Sequence, residues 1–336
     1  MIHRPASMKA FADMSTFPGG KVDAADFKNA SKLGQLDHAQ CRIPETVLRQ
    51  ITADLCISNH QIEIGFKLAA LRETFEETGH LVSAKKADRS CHVTVLDRTI
   101  HNNVFFSIQQ RPEMFINLYS ELGLDLPLEQ TRLWSNWTSP LSLKHRFNTC
   151  MFHAHVEKVI FLDRKVEAFG NLCDYEQIKE VDAVYFASPA GFLKGKMKPD
   201  RTKPAMAPPQ SYELQRFCNF LKTDDLLHHI DSELQKAKIR EWNSIWCEYT
   251  PKSSLDSKLI YVLTGDDLFE KIPMEYHERA HPKYQLTDHD WDQKSGLNRI
   301  VVSREMNDFW WKCSNVIDGH KPPISEESFN ELFGDL

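Results

Sequence analysis

The residues best suited to chemistry lie in two short segments, a turn that contains two glycines and a cluster of glutamates. The turn is Phe-Pro-Gly-Gly at residues 17–20, and the cluster consists of Glu73, Glu76 and Glu77. Spacings of three and four residues place the three carboxylates on one face of a helix. Like charges at these spacings repel, and Arg72 alone stands at a helical spacing that would neutralise one of them. A cluster that keeps this repulsion indicates a bound cation, and a solvated acidic surface is the alternative.

The segment that carries the glutamates is predicted to be a helix between Ser58 and Gly79. Ser58 and Gln61 fit a capping box, and Gly79 suits the left-handed residue that ends many helices. Four apolar residues fall on one side of this helix and predict a buried stripe: Ile64, Leu68, Leu71 and Phe75. The glutamates project from the other side, where hard oxygen ligands suit Mg²⁺ or Mn²⁺.

The turn and the glutamate segment together resemble the Nudix box, Gly-x5-Glu-x7-Arg-Glu-U-x-Glu-Glu-x-Gly-U, in which U is aliphatic. Glycines after a proline let the backbone approach a ligand closely, as this box requires. Gly20 opens the box and Asp26 stands at the position of its first glutamate. The sequence departs from the pattern in four places: Asp26 is shorter than Glu, Thr74 and His80 replace aliphatic residues, and residues 27–71 replace seven residues.

Further segments, in the same order along the chain, resemble a branch of the Nudix hydrolase superfamily that carries an insertion in its box. They are the Trp-x-x-Trp-x-x-Pro run at 134–140, Arg-Phe-Asn-Thr at 146–149, Glu180 with Phe-Ala-Ser-Pro at 186–189, Pro-Pro-Gln at 208–210 and Thr-Gly-Asp at 264–266. This resemblance covers nearly the whole chain. It implies an α/β fold, namely a Nudix-type α/β/α sandwich with a mixed sheet, a long insertion within the box and a C-terminal α+β extension.

The expected organisation is a Nudix core at 1–199 and a C-terminal extension at 200–336 that packs on the core. The insert at 27–57 has no strong hydrophobic period and is expected to be exposed. A stretch rich in lysine and proline at 194–209 predicts a linker. The other predicted elements are strands near 131–138, 147–157 and 181–187 and helices near 209–222 and 224–239.

The resemblance also implies roles for individual residues. Glu73, Glu76 and Glu77 are expected to bind Mg²⁺ or Mn²⁺ together with the backbone carbonyl of Gly19. Glu73 acts either as the base that activates water or as a third ligand, and the sequence leaves both roles open. Arg72 is expected to hold a carboxylate in place or to form an ordinary ion pair within the helix. The candidate substrate-binding residues are Lys9, Arg4 and Glu180.

The chemistry implied by the box is hydrolysis of a nucleoside diphosphate linked to another group. Coenzyme A or acyl-coenzyme A is the first expectation, because the branch with the insertion hydrolyses them. In coenzyme A hydrolases an Arg-x3-Gly-x3-Phe-Pro-Gly-Gly stretch precedes the box, and here Lys9 and Asp13 stand at the Arg and Gly positions. Lysine keeps the positive charge and loses the two-pronged geometry for phosphate. The alternatives are another substrate, such as NADH or ADP-ribose, or a catalytically silent binding module.

Composition excludes some partners and compartments. The chain has 336 residues, 41% of them hydrophobic, and a formal net charge of −6, which argues against nucleic acid as a partner. No apolar run reaches the 18 or so residues that span a bilayer. Eight cysteines without a Cys-x-x-Cys pair are typical of a reduced, intracellular chain.

The beginning of the sequence, Met-Ile-His-Arg, resembles the end of the first Nudix strand. We therefore expect that strand to be truncated here, together with any targeting segment that precedes it. The resemblance implies a mitochondrial or peroxisomal location, or the cytosol if no targeting segment is missing. The last residues are not the Ser-Lys-Leu peroxisomal signal.

Overall fold

The computed structural model divides the chain into two compact units. It describes residues 1–8, 12–33, 41–52, 57–84, 91–96, 98–141, 143, 146–162, 181–194, 206–234, 241–252, 257–278, 283–293, 296–302, 309–313, 323 and 326–333. The first unit comprises residues 1–5, 17–134 and 150–184, and the second comprises residues 6–16, 135–149 and 185–336. Both units contain helices and strands, and the predicted α/β class is confirmed. The boundary at residue 200 stays a prediction.

The elements of the N-terminal half include five helices. In chain order they are β1 (Ile2–His3), β2 (Ser15–Thr16), α1 (Ala24–Lys32), α2 (Glu45–Thr52), α3 (Asn59–Thr78), β3 (His80–Ala84), β4 (Cys91–Leu96), α4 (Arg98–Gln110), α5 (Phe115–Leu122), β5 (Arg132–Thr138), β6 (Asn148–His153), β7 (Val156–Leu162) and β8 (Ala183–Val184). A short 3₁₀ turn, Pro112–Met114, precedes α5.

Helix α3 is the longest helix among the described residues and carries the three glutamates near its C-terminal end. Ser58 accepts a hydrogen bond from the backbone N–H of Gln61, and the Gln61 side chain accepts one from the backbone N–H of Ser58. Gly79 ends the helix in the left-handed conformation, with φ +72°. The predicted stripe is buried in the core of the first unit, and the predicted limits and inner face of this helix are therefore confirmed.

The insert packs against α3 where the structure describes it, so the prediction that it is exposed was wrong there. It contains most of α1 and all of α2, and Ile43, Val47 and Leu48 are buried. The backbone N–H of Arg42 donates to the buried carboxylate of Glu63 on α3, at 2.7 Å. Burying apolar side chains and satisfying a buried carboxylate both favour this packing.

Helix α1 approaches α3 closely because Gly65 has no side chain. The ring of Phe27 occupies the space that a Cβ on Gly65 would fill. Phe27 also packs edge to face on Phe66, with 6.0 Å between the ring centroids. The start of α1, which follows the glycine turn, is thereby fixed on the surface of the glutamate helix.

A mixed sheet covers the same core. Strands β3 and β4 pair antiparallel, with His80 opposite Val95, and β4 pairs with β7 in parallel, with Val93 opposite Val159. Strand β3 begins directly after Gly79, so the sheet fixes the end of α3. Strand β1 pairs antiparallel with β8, with Ile2 opposite Val184.

The C-terminal half supplies most of the second unit. Its elements are α6 (Pro189–Leu193), α7 (Pro208–Phe217), α8 (Thr223–His229), β9 (Glu241–Trp242), β10 (Ser244–Tyr249), β11 (Lys258–Leu263), α9 (Met274–Glu278), β12 (Tyr284–Gln285), α10 (Asp288–Asp292), β13 (Asn298–Val302), β14 (Phe309–Cys313) and α11 (Glu326–Phe333). Helices α7 and α8 are shorter than predicted, and a π turn at Ile230–Leu234 follows α8. Most of the predicted linker, residues 195–205, lies outside the described residues.

A five-stranded sheet forms the core of the second unit, in the order β12-β10-β11-β13-β14. Two buried ion pairs accompany it. Arg299 binds Asp266 through two hydrogen bonds of 2.7 and 3.0 Å. Arg216 binds Glu213 at 2.8 Å, and Glu213 also accepts a hydrogen bond from the Trp137 indole.

None of the helices within the described ranges combines the length and apolar character needed to cross a bilayer.

Candidate active site

The glycine turn and the glutamate helix meet at Gly19 and Glu77. The backbone N–H of Gly19 donates a hydrogen bond of 2.7 Å to Oε2 of Glu77. Gly19 has φ +152°, a backbone conformation that L side chains rarely adopt, so the turn requires glycine at this position. The two segments that the sequence analysis singled out are therefore adjacent in the fold, although residues 27–71 separate them in the chain.

Gly20 lies against Glu73. A Cβ at position 20 would overlap the carboxylate of Glu73, so the absence of a side chain lets this carboxylate reach the turn. The sequence predicted a close backbone approach to a ligand, and the structure shows a close approach to a catalytic-site candidate.

Arg72 connects the turn, helix α1 and helix α3. Its Nε and Nη2 donate to Oδ1 and Oδ2 of Asp26, each at 3.0 Å, and Nη2 also donates to the Lys21 carbonyl at 3.3 Å. Both Arg72 and Asp26 are buried. A planar guanidinium that binds a carboxylate through two parallel hydrogen bonds fixes both distance and orientation. Arg72 thus holds a carboxylate outside its own helix, in addition to the ion pair within the helix.

Asp26 is held from two directions. Its carboxylate caps the start of α1 by accepting the backbone N–H of Asp23 at 2.9 Å, and Asp23 in turn accepts the N–H of Ala25. The box motif includes Asp26 but indicates no partner for it. The Asp-x-x-Asp spacing at 23–26 could have indicated the contact between Asp26 and Asp23. This spacing is typical of a capping box, in which the second side chain accepts the backbone N–H of the first residue.

The glutamates have more cationic partners than the sequence predicted. Their helical spacing predicted a partner for Glu76 only, and that prediction was wrong. Nη1 of Arg72 donates to Glu73 at 2.9 Å and to Glu76 at 3.0 Å. The sequence showed the pairing of Arg72 with Glu76 only, because neighbouring residues in a helix do not usually face each other. Burial raises the pKa of Glu76 to about 7, and Arg72 opposes this rise.

Arg4 neutralises Glu77 from a distant part of the chain. Its Nη1 lies 3.4 Å from Oε1 of Glu77, and the two side chains are 15% and 4% exposed. Arg4 was expected to contact the substrate, and the structure places it beside a candidate metal ligand. No sequence spacing could reveal this pair. Lys9 and Glu180, the other two candidates, lie outside the described residues.

The donor set of this site fits a hard divalent cation. Three carboxylates lie on successive turns of one rigid helix, and oxygen ligands of this kind suit Mg²⁺ and Mn²⁺. With the side chains as they stand, no three His, Cys, Asp or Glu residues within the described part of the chain converge as ligands. Glu73, Glu76 and Glu77 accept hydrogen bonds from Arg72, Arg4 and the Gly19 amide, so a metal would share these carboxylates with the donors already present.

Comparison with curated proteins finds two similar chains of the same description. The acyl-coenzyme A diphosphatase NUDT19 of Xenopus laevis is 24% identical over 282 residues, which cover 76% of this chain and 67% of the relative. The acyl-coenzyme A diphosphatase NUDT19 of Gallus gallus is 26% identical over 289 residues, which cover 76% of this chain and 68% of the relative.

A Nudix hydrolase from Alicyclobacillus acidocaldarius is similar among solved structures, with 16% identity over 67% of this chain and 85% of that chain. Its TM-score of 0.41 is too low to support a conclusion about this chain. The family model described as the NUDT19 Nudix domain matches residues 1–217, which is more than half of the chain. The chain therefore belongs to the NUDT19 Nudix domain family, and the resemblance to the Nudix hydrolases seen in its sequence is confirmed.

Proposed function

We propose that this Nudix diphosphatase hydrolyses the diphosphate of coenzyme A or acyl-coenzyme A with the help of Mg²⁺ or Mn²⁺. The products would be 3′,5′-ADP and 4′-phosphopantetheine or its acyl derivative. The hydrogen bond between Gly19 and Glu77 carries this proposal, because it brings the turn to the carboxylates that the box requires. The two curated relatives, named acyl-coenzyme A diphosphatases, support the choice of substrate.

Glu73, Glu76 and Glu77 would hold the metal, with the Gly19 carbonyl as a further oxygen ligand. Nudix hydrolases generally need a divalent metal, and its chemistry here would be to neutralise charge on the diphosphate and to acidify a bound water. The protein side chains supply position. Arg72 fixes Glu73 and Glu76 relative to each other and anchors both to Asp26.

Glu73 has two possible roles, a third metal ligand or the base that takes a proton from the attacking water. The substitution Glu73→Gln distinguishes them. If Glu73 is a metal ligand, Glu73→Gln lowers both the affinity for Mn²⁺ and the rate. If Glu73 is the base, Glu73→Gln lowers the rate at saturating Mn²⁺ and leaves the affinity for Mn²⁺ unchanged.

Three cationic or acidic residues would contact the substrate outside the metal cluster. Arg4 lies beside Glu77 and would contact a phosphate near the metal. Lys9 stands where coenzyme A hydrolases carry an arginine. A lysine there would keep the positive charge and lose the two-pronged guanidinium geometry for phosphate. Glu180 would supply an additional carboxylate near the metal.

The decisive experiment is a substrate panel of coenzyme A, acyl-coenzyme A, NADH, ADP-ribose and nucleotide sugars, each with Mg²⁺, with Mn²⁺ and with EDTA. Products are identified by mass. Release of 3′,5′-ADP from coenzyme A or its acyl esters ahead of all other substrates is expected. Faster hydrolysis of NADH or ADP-ribose would show that coenzyme A is not the preferred substrate, while the protein would still be a Nudix diphosphatase. Absence of turnover with every substrate and metal would favour a catalytically silent module.

A further inference from the structure

Glu77 already has a hydrogen-bond donor at each carboxylate oxygen. The Gly19 amide faces Oε2 at 2.7 Å, and the Arg4 guanidinium faces Oε1 at 3.4 Å. The Glu77 side chain is 4% exposed, whereas the Gly19 amide that donates to it belongs to an exposed residue. The charge of this carboxylate is thus balanced in the protein itself.

The Arg4 side chain forms its ion pair with Glu77. Arg4 follows the short strand β1, and its side chain is 15% exposed. Its Nε is buried and has no hydrogen-bond partner among the residues that the structure describes. A buried guanidinium nitrogen without an acceptor is costly, so the position of Arg4 beside Glu77 leaves hydrogen-bonding capacity for another anion.

A divalent cation on Glu77 disfavours the present position of Arg4. Two cationic groups on one buried carboxylate repel each other strongly, because little water screens them. Movement of Arg4 away from Oε1 when a metal binds would relieve this repulsion, and the charge of Arg4 would then need a new acceptor. The diphosphate of the substrate is the anion that would arrive next to the metal, and the guanidinium fork matches phosphate oxygens.

We propose that Arg4 is a displaceable counterion, which neutralises Glu77 in the metal-free protein and transfers to the substrate diphosphate when the metal is bound. This inference rests on the proposed function, because it requires Glu77 to be a metal ligand and a diphosphate to be the substrate. Metal and diphosphate then bind cooperatively. The metal favours the position of Arg4 away from Glu77, and the diphosphate binds Arg4 in that same position.

The first test measures Mn²⁺ binding to the full chain, by the electron paramagnetic resonance signal of free Mn²⁺, without nucleotide. Arg4→Gln removes the competing charge and is expected to bind Mn²⁺ about fivefold more tightly than the unmodified chain. Arg49→Gln is the matched control, since Arg49 forms an exposed pair with Glu45, and its affinity should not change. Circular dichroism checks that each variant is folded.

The second test measures binding of α,β-methylene-ADP, a diphosphate that resists hydrolysis, at saturating Mn²⁺. Arg4→Gln is expected to bind it at least about fivefold more weakly. Binding of AMP, which has no diphosphate, should change much less. Opposite changes in the two affinities distinguish transfer of Arg4 from simple structural support of Glu77.

Arg4→Lys provides a second, more conservative variant. It keeps the charge, so its affinity for Mn²⁺ should stay within about twofold of the unmodified chain, while its affinity for the diphosphate falls because the fork is lost. Weaker binding of both ligands by Arg4→Gln, or no change in either, would overturn the proposal. Binding of Mn²⁺ by Glu77→Gln shows whether the proposed function or only the role of Arg4 is wrong. An unchanged affinity of Glu77→Gln for Mn²⁺ would exclude Glu77 as a metal ligand. A lost affinity of Glu77→Gln, together with no effect of Arg4→Gln, would exclude only the role of Arg4.

Discussion

Arg72 binds Asp26 through two parallel hydrogen bonds, and this pair joins the end of α3 to the start of α1. The distances from Nε to Oδ1 and from Nη2 to Oδ2 are both 3.0 Å. Oδ2 also accepts the backbone N–H of Asp23, so one buried carboxylate caps α1 and anchors Arg72. Because Arg72 also holds Glu73 and Glu76, the position of the glutamates depends on a residue on another helix.

Asp26→Asn should destabilise the protein, because it leaves the buried Arg72 without its charged partner outside the helix. We expect a loss of about 3 kcal/mol in the free energy of unfolding, measured by urea titration. Asp26→Glu keeps the charge and should cost less, about 1 kcal/mol, because it adds one methylene to a packed site. The exposed Asp224→Asn serves as control, and a cost for Asp26→Asn no larger than for this control would contradict the role of the pair.

Glu77→Gln should abolish hydrolysis of coenzyme A while the chain stays folded. The amide is nearly the same shape as the carboxylate, and its oxygen can still accept the Gly19 N–H. Loss of a charged metal ligand should lower the rate at least about 10³-fold. Glu45→Gln, at an exposed position of α2, is the matched control and should keep full activity. Comparable activity of the two variants would exclude Glu77 from the metal site.

Gly20→Ala should reduce activity with little change in overall stability. The new Cβ would overlap the Glu73 carboxylate, so Glu73 must rotate away from its position beside Arg72. We expect a rate at least about tenfold lower, since small displacements of catalytic groups are costly. Gly191→Ala is the milder control for the substitution itself, because its Cβ would lie 3.2 Å from the Ser188 hydroxyl and would not overlap it. Steady-state kinetics and urea titration on both variants decide whether the effect is confined to the site.

Gly65→Ala should destabilise the packing of α1 on α3, because the Phe27 ring fills the space of the new methyl group. Alanine is the better helix former by about 1 kcal/mol, so a net loss of stability would show that the steric effect dominates. A double-mutant cycle with Phe27→Ala identifies the partner. If the two residues are in contact, the change at Gly65 should cost much less once the ring is removed, and additive effects would exclude the contact.

Asp266→Asn should be the most destabilising of these changes in the second unit. It breaks a fully buried pair with Arg299, and we expect a cost of about 3–5 kcal/mol in urea unfolding. Asp288→Asn removes the partner of Lys252, whose side chain is 89% exposed, and should cost much less. Equal costs for the two substitutions would contradict the burial of the Arg299 pair.

The sequence by itself determined the features that depend on neighbours along the chain. The limits of α3 followed from Ser58, Gln61 and Gly79, because caps are formed by residues within one turn. Its buried face followed from the periodic apolar stripe, and both features are present in the structure. The box motif predicted the family, because its residue types and order are specific even when a long insertion separates them.

The tertiary structure alone decided which distant residues meet in the site. Spacing in the chain could not pair Arg4 with Glu77 or assign Asp26 as the partner of Arg72, because such contacts depend on how the intervening segment folds back. The insert was expected to be exposed for the same reason. Its weak hydrophobic period gives no sign that Gly65 leaves room for Phe27, or that Glu63 offers a buried acceptor to the backbone of Arg42. A hydrophobic pattern reports one face of one element, whereas burial depends on the shape and the polar groups of the surface against which that element packs.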